Sequence, residues 1–236
     1  MGIKCKSVYL QGYDLDLIAT YGPGGKYPVY SNLLDVLADV LRKNIKNGHQ
    51  NVVVANGGTG SGKSTLLINL CYKMSRDWEL KDNYIYSLAD LKRKLRDPDS
   101  SPISLFDEGS VSLNSFNSQR AEDKAMSILF DTMRSWGWST FIALPSFSDL
   151  NKRVRNNHVD YRLICPRKAP LPGYDPRGFF HLYKKIRYDL TDGIYWQHLG
   201  TGLFKKLAPR HDKEYQALKR KSQVRLINEF IGDDEE

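Results

Sequence analysis

NVVVANGGTGSGKSTLLINL, residues 51–70, joins a continuous apolar run to a glycine-rich turn and then to a helical pattern. An apolar run without alternation is what a strand buried on both faces looks like, so residues 51–55 are read as a strand buried in a parallel sheet. Gly57-x-x-x-x-Gly62-Lys63-Ser64 matches the phosphate-loop pattern G-x-x-x-x-G-K-[ST] in full. Glycines let the backbone curl until successive N–H groups face phosphate oxygens, and the helix opening at Lys63 adds the positive end of its dipole. The expected nucleotide-binding set is therefore Gly57, Gly58, Thr59, Gly60, Ser61, Gly62, Lys63, Ser64 and Thr65. Lys63 reaches the β- and γ-phosphates, the Ser64 hydroxyl ligates Mg²⁺, and Thr65 lies near the α-phosphate.

The second half of such a site is an acid at the end of a neighbouring strand. Ile103-Ser-Leu-Phe-Asp-Glu supplies it, with Asp107 expected to hold Mg²⁺ through water and Glu108 to orient or deprotonate an attacking water. A GTPase would show D-x-x-G and N-K-x-D. Here Asp107-Glu-Gly-Ser has its glycine one place early, and Asn151-Lys-Arg-Val lacks the final acid. Small-molecule kinases usually lack the strand-end glutamate and carry an arginine-rich lid. The acid pair points instead to an ATPase of the additional-strand, catalytic-glutamate type, which hydrolyses ATP with water.

A third polar element is expected from the strand beside Asp107, where Ser146 and Ser148 follow the apolar run 141–144. Ser146 is taken as the γ-phosphate sensor. An arginine supplied across a subunit interface would stabilise the transition-state charge. Arg153 or Arg155 is the candidate, with Arg134 and Arg120 behind them.

Along the chain, a helix is expected from Ser31 to Asn47, capped by Ser31 or Asn32 and ended by Gly48. Strands are expected at 84–87, 103–108, 140–144 and 160–165, and helices at 63–74, 88–96 and 121–134. Phe179–Leu190, the turn Thr-Asp-Gly and Ile194–Leu199 read as a β-hairpin, and 212–230 as a basic helix before the acidic tail DDEE. Residues 1–30 read as short apolar pieces and a Gly/Pro loop. The fold class is α/β: a P-loop NTPase fold, a mostly parallel sheet with helices on both faces, with a C-terminal β-hairpin and basic helix. The expected organisation is an N-terminal segment with a helix over 1–48, the ATPase core over 49–168, and the hairpin and basic helix over 169–236.

The net charge of +8 is unevenly placed: residues 151–225 carry 18 Lys/Arg against 6 Asp/Glu, a net of +12, and the remainder sums to −4. A basic C-terminal third on a mildly acidic body suggests a polyanionic partner. Lys205, Lys206, Arg210, Lys213, Lys219, Arg220, Lys221 and Arg225 would neutralise phosphates, with Lys184, Lys185 and Arg187 of the hairpin adding to them. Trp136 and Trp138 are expected to pack in the core. Asn114, Ser115, Asn117, Ser118 and Gln119 form a polar stretch that either faces a ring channel or is solvated. Three widely spaced cysteines support neither a disulfide framework nor a zinc site. The N-terminus shows no signal-peptide pattern and no apolar run is long enough to span a bilayer, so a cytoplasmic location is expected, host cytoplasm if the chain is viral.

Gly57–Thr65, Leu105-Phe-Asp-Glu-Gly and Ala143-Leu-Pro-Ser-Phe-Ser-Asp-Leu-Asn-Lys-Arg-Val-Arg together resemble the FtsK/HerA superfamily of P-loop ATPases. The likeness is to its compact viral and mobile-element members, including genome-packaging ATPases and zonula-occludens-toxin-like phage proteins. It covers roughly 50–165. The resemblance implies a homo-oligomeric ring, usually a hexamer, that uses ATP and Mg²⁺ to move DNA through a central channel. A capsid portal or other docking protein is an expected partner. Two departures stand out: many members carry Gln where this chain has Pro145-Ser146, and the toxin-like proteins have a membrane span. The expected function is ATP hydrolysis driving DNA translocation or packaging. Its rivals are a DNA-partition or transposition helper switch, a non-enzymatic DNA-binding scaffold and, more distantly, a small-molecule kinase.

Overall fold

The computed structural model describes residues 4–10, 13–20, 28–86, 88–97, 100–107, 130–169, 175–188 and 193–231. At its centre is β4 (Asn51–Asn56), buried at every position. Its side chains alternate between two cores as the strand period requires. Val53 and Ala55 join Leu37 and Leu41 of α1 (Leu33–Lys46) and Leu66, Leu67 and Leu70 of α2 (Lys63–Met74). Val52 and Val54 face the other way, toward Leu91, Phe130 and Val154. Helices therefore cover both faces, which is why this strand reads as apolar throughout.

Around it lie β5 (Tyr84–Ile85), β6 (Ile103–Phe106), β7 (Ser139–Leu144) and β8 (Tyr161–Ile164), all parallel, in the order β5-β6-β7-β4-β8. One strand, β7, thus stands between the strand that feeds the glycine loop and the strand that ends at Asp107. This is the additional-strand arrangement expected from the acid pair. The remaining helices are α3 (Leu80–Asn83), α4 (Leu88–Leu95), helical residues 130–135, α5 (Lys152–Asn157) and α6 (Pro209–Ile231). The chain has an α/β P-loop NTPase fold. Among the described residues no helix is long and apolar enough to cross a membrane.

The hairpin of β9 (Phe179–Tyr188) and β10 (Gly193–Leu203) forms as expected, with β10 running longer than the sequence pattern suggests. β9 pairs antiparallel with β8, so the hairpin continues the same sheet. Beyond it the N-terminal region adds β3 (Val29–Tyr30), β2 (Tyr13–Thr20) and β1 (Lys4–Leu10), giving ten strands among the described residues. The sequence suggested only short apolar pieces there. Two strands are in fact made from KCKSVYL and YDLDLIAT, whose interspersed charges hide them from an apolar-run criterion. A second correction concerns the tryptophans: Trp138 is buried, but Trp136 is 51% exposed and rests edge-on against it. Of the helix expected over 121–134, only 130–134 falls among the described residues.

Asn51 is a fully buried polar residue at the start of the central strand. Its amide donates to Leu41 O (3.2 Å) and Ser139 Oγ (2.9 Å), and its carbonyl accepts from Asn44 Nδ2 (2.7 Å). One side chain thereby ties the end of α1 to β4 and β7. Asn51→Ala should lower unfolding free energy by about 2–4 kcal/mol, because it removes three hydrogen bonds and strands the buried partners. Denaturant unfolding checks this, and a loss within about 0.5 kcal/mol would show the network to be unimportant.

Candidate nucleotide-binding site

Between β4 and α2 the backbone turns through a left-handed conformation at Gly62 (φ +90°), the N-cap of α2. A side chain there would be strained and would press on the Phe204 ring at 3.0 Å. Gly57 serves a different need: a Cβ at this position would lie 2.6 Å from the carbonyl of Cys165, at the end of neighbouring β8. With glycine at its N-cap, α2 has no side-chain cap, so its first-turn N–H groups are available to an anion. The Lys63 ammonium arches back over the loop and donates to Gly57 O and Gly58 O, both at 2.9 Å.

Asp107 follows directly on β6 and is 1% exposed. Its Oδ1 accepts from Ser64 Oγ at 2.5 Å, bringing the expected hydroxyl and carboxylate ligands together across β7. Its Oδ2 accepts from Tyr84 at 3.2 Å and from Tyr215 at 2.8 Å. Burial, reinforced by the Asp107 charge, raises the Tyr84 phenol far above its ordinary value, so it remains a donor. A carboxylate this deep is stable only because hydroxyls from α2, β5 and α6 converge on it.

A cavity of about 620 Å³ opens in front of these groups. Thr59, Gly60, Gly62, Lys63, Ser64, Thr65 and Asp107 form one wall, and Ala143 and Pro145 at the end of β7 contribute to it. The opposite wall is α6, through Tyr215, Gln216, Lys219, Arg220 and Gln223. On the other side of the loop, Gly58, Thr59, Gly60 and Ser61 border a second hollow of about 470 Å³ with Pro166, Arg167 and Asp175–Arg177.

Helix α6 is held in place at several points. The His211 ring stacks on Tyr72 at 4.0 Å, Asn69 Nδ2 donates to Lys205 O just before the helix, and Arg225 pairs with Asp90 at 2.9 Å. These contacts were not legible in the sequence. Tyr215, Gln216, Lys219, Arg220 and Gln223 share one helical face, but a polar stripe on a basic helix looks the same whether it meets solvent or a charged ligand.

Glu108 and Arg120 lie outside the described residues, as does the polar stretch Asn114–Gln119. Ser146 does not border the cavity: its hydroxyl caps the short 3-10 turn Phe147–Asp149, accepting from the Ser148 N–H. Arg153 is exposed, and the Arg155 guanidinium sits 5.8 Å from the Phe147 ring; neither lines the cavity of its own chain. Arg134 lies elsewhere, among residues at the far end of the sheet.

No family model matches this chain, and no curated protein matches it. Among solved structures it is similar to the N-terminal domain of zonular occludens toxin from Neisseria meningitidis. That match has 12% identity over 70% of this chain and 98% of the other, at a TM-score of 0.40. It is also similar to the cytoplasmic domain of the type VII secretion ATPase EccC from Thermomonospora curvata, at 12% identity over 76% and 25% and a TM-score of 0.38. A third is a KaiC-like protein from Pyrococcus horikoshii OT3, at 12% identity over 67% and 90% and a TM-score of 0.34. These likenesses are remote, and the fold stands on the strand order and loop geometry of the chain itself.

Proposed function

We propose that the chain is a Mg²⁺-dependent ATPase that couples hydrolysis to the movement of DNA, working as a homo-oligomeric ring. The observation that carries the ATPase reading is the meeting of Ser64 and Asp107 at 2.5 Å beside a glycine loop, with one strand inserted between their parent strands. A hydroxyl and a carboxylate are the hard oxygen donors that Mg²⁺ takes. Bound there with ATP, the ion would neutralise charge on the β- and γ-phosphates.

In this reading the loop N–H groups and Lys63 cradle the phosphates, and Tyr84 and Tyr215 hold the Asp107 carboxylate in position. Lys219 and Arg220 add positive charge from the opposite wall. Glu108, next in sequence to Asp107, orients the attacking water and accepts its proton. Arg153, exposed on α5, is suited to reach a neighbouring subunit's nucleotide. The DNA-motor part of the proposal is supported by the basic C-terminal third and by the resemblance carried by the three motifs. Genome packaging or translocation for a virus or mobile element, with a portal-like docking partner, is the use this favours. A partition-type switch is the second reading, favoured by the same basic surface.

Three measurements test this. Lys63→Ala should abolish binding of a fluorescent ATP analogue, while Glu108→Gln should bind it normally and lose roughly 10²–10⁴-fold in turnover. Wild-type turnover should rise when DNA is added; turnover indifferent to DNA would remove the motor and leave a switch or a protein-directed ATPase. Equal activity of Glu108→Gln and wild type would sink the enzymatic reading altogether.

The wall formed by α6 makes a separate prediction. Replacing Lys219 and Arg220 together by Gln should weaken ATP binding by roughly tenfold or more, since each cation contributes on the order of 1 kcal/mol near a polyphosphate in water. Adenosine binding should be untouched. Equal ATP affinity in the double variant and the wild type would show that this face of α6 serves only solvent.

A further inference from the structure

The end of the sheet opposite the glycine loop carries a second concentration of charge. A cleft of about 470 Å³ opens where β4 and β8 begin, bordered by Gln50, Asp160 and Tyr161, by Lys184, Lys185 and Arg187 of β9, and by Arg134. Four cations face one carboxylate. That carboxylate, Asp160, is already engaged by the Val52 N–H at 2.8 Å. His158, which also borders the cleft, has Asp131 at 3.8 Å from its Nε2.

Part of this charge has a structural explanation. Lys185 donates to Asn156 O (3.1 Å), and Arg187 donates to Asn156 O (3.0 Å) and Asn157 O (2.8 Å). Both therefore cap the carbonyl end of α5. That explanation does not extend to Lys184 and Arg134, whose side chains make no hydrogen bond to another described residue. Nor does it account for the buried donors of two residues that border the cleft. Tyr161 is fully buried and its hydroxyl has no partner among the described residues, and the same holds for the buried Gln50 amide nitrogen. Such groups are costly to bury unpaired. The cations themselves are crowded: burial brings the Lys185 ammonium down to about 8, with Arg187 and Arg134 adding to the effect against the pull of Asp160. A site that gathers like charges and unpaired donors gains by taking up an anion.

We propose that this cleft is a second phosphate-binding site, distinct from the glycine loop, which takes backbone phosphates of a nucleic-acid strand through Arg134, Lys184 and the Tyr161 hydroxyl. It rests on the nucleic-acid part of the function proposed above and locates a contact for it. The cleft lies at the start of β4 and the nucleotide cavity at its end, so the two anions are held at opposite edges of one sheet. The contact is to phosphate and carries no sequence preference.

The test is binding of a fluorescently labelled oligonucleotide, single-stranded and duplex, to full-length wild type, Arg134→Gln/Lys184→Gln and Tyr161→Phe over a salt series. The double variant should bind roughly tenfold more weakly or worse at moderate salt, and its salt slope should fall by about 0.7–0.9 for each phosphate that is no longer neutralised. Tyr161→Phe should bind roughly threefold more weakly while its thermal midpoint stays level or rises, because the hydroxyl it removes has no partner among the described residues. Affinity for an ATP analogue should be the same in all three, which shows that the variants are folded.

Oligonucleotide affinity and salt slope unchanged in Arg134→Gln/Lys184→Gln would overturn this site and leave the DNA-dependent ATPase reading standing. Displacement of the oligonucleotide by inorganic phosphate alone, or equally by polyglutamate, would overturn its assignment to a nucleic-acid strand. Wild type that binds no oligonucleotide would overturn the site together with the DNA part of the function, and its ATP hydrolysis would still report on the glycine loop.

Discussion

A buried carboxylate organises one end of this molecule. Asp107 is out of contact with water, and an acid in that position is tolerated only when donors surround it. Ser64 reaches it from the first turn of α2, Tyr84 from β5, and Tyr215 from the C-terminal helix. Residues more than a hundred positions apart in the chain thus converge on one functional group. Helix α6 is fixed by this convergence and by the Arg225–Asp90 pair, and becomes the far wall of the cavity. Removing the carboxylate would therefore leave the Ser64, Tyr84 and Tyr215 hydroxyls without their shared acceptor and take one of its anchors from the C-terminal helix.

The inserted strand β7 sets the distance over which this works. It lies between β4 and β6, so the glycine loop and the acid leave the sheet from positions two strands apart with Ala143 and Pro145 between them. A direct β4–β6 pairing would leave less room for a polyphosphate between Lys63 and Asp107. β7 is fully buried, and Ser139 at its start shares a hydrogen bond with Asn51. The register of β4 against β7, which brings both C-terminal ends to the same edge, is thus reinforced from its N-terminal end.

What was legible in the sequence is what depends on local chemistry. The places of Gly57 and Gly62 in the turn were readable because the backbone there excludes a side chain, and the place of Asp107 at the end of β6 was readable because an acid closes the apolar run. The α/β class followed from β4, whose two-sided burial leaves no polar alternation. The roles of Tyr84 and Tyr215 were not readable. A tyrosine that donates to a carboxylate and one that merely fills a core have the same local pattern, and only the tertiary fold distinguishes them. Ser146 shows the same limit: its place after a strand suggests a ligand contact, and its hydroxyl also accepts from the backbone of the turn that it begins, two uses with one sequence pattern. The N-terminal strands were missed because charges at intervals along KCKSVYL and YDLDLIAT break the apolar run used to find strands.

Net charge illustrates the same limit in another form. A count of +12 over 151–225 treats every cation alike, and the fold sorts them into different tasks. Arg225 neutralises Asp90 and fastens a helix; Lys185 and Arg187 cap the carbonyls of α5; Lys219 and Arg220 border the cavity at the glycine loop. Each cation with a partner inside the fold is subtracted from what remains to attract a polyanion. Any affinity for a polyanion would then depend on the few cations left without a hydrogen-bond partner and on where the sheet places them. Lys184 and Arg134, beside the unpaired Tyr161 hydroxyl, are such cations among the described residues, and they lie at the edge farthest from the nucleotide loop. In the proposed reading, two anionic ligands of very different size would thereby be kept from competing for the same charge. That separation is what an ATPase acting on a polyphosphate strand requires if ATP is to exchange while the strand stays bound.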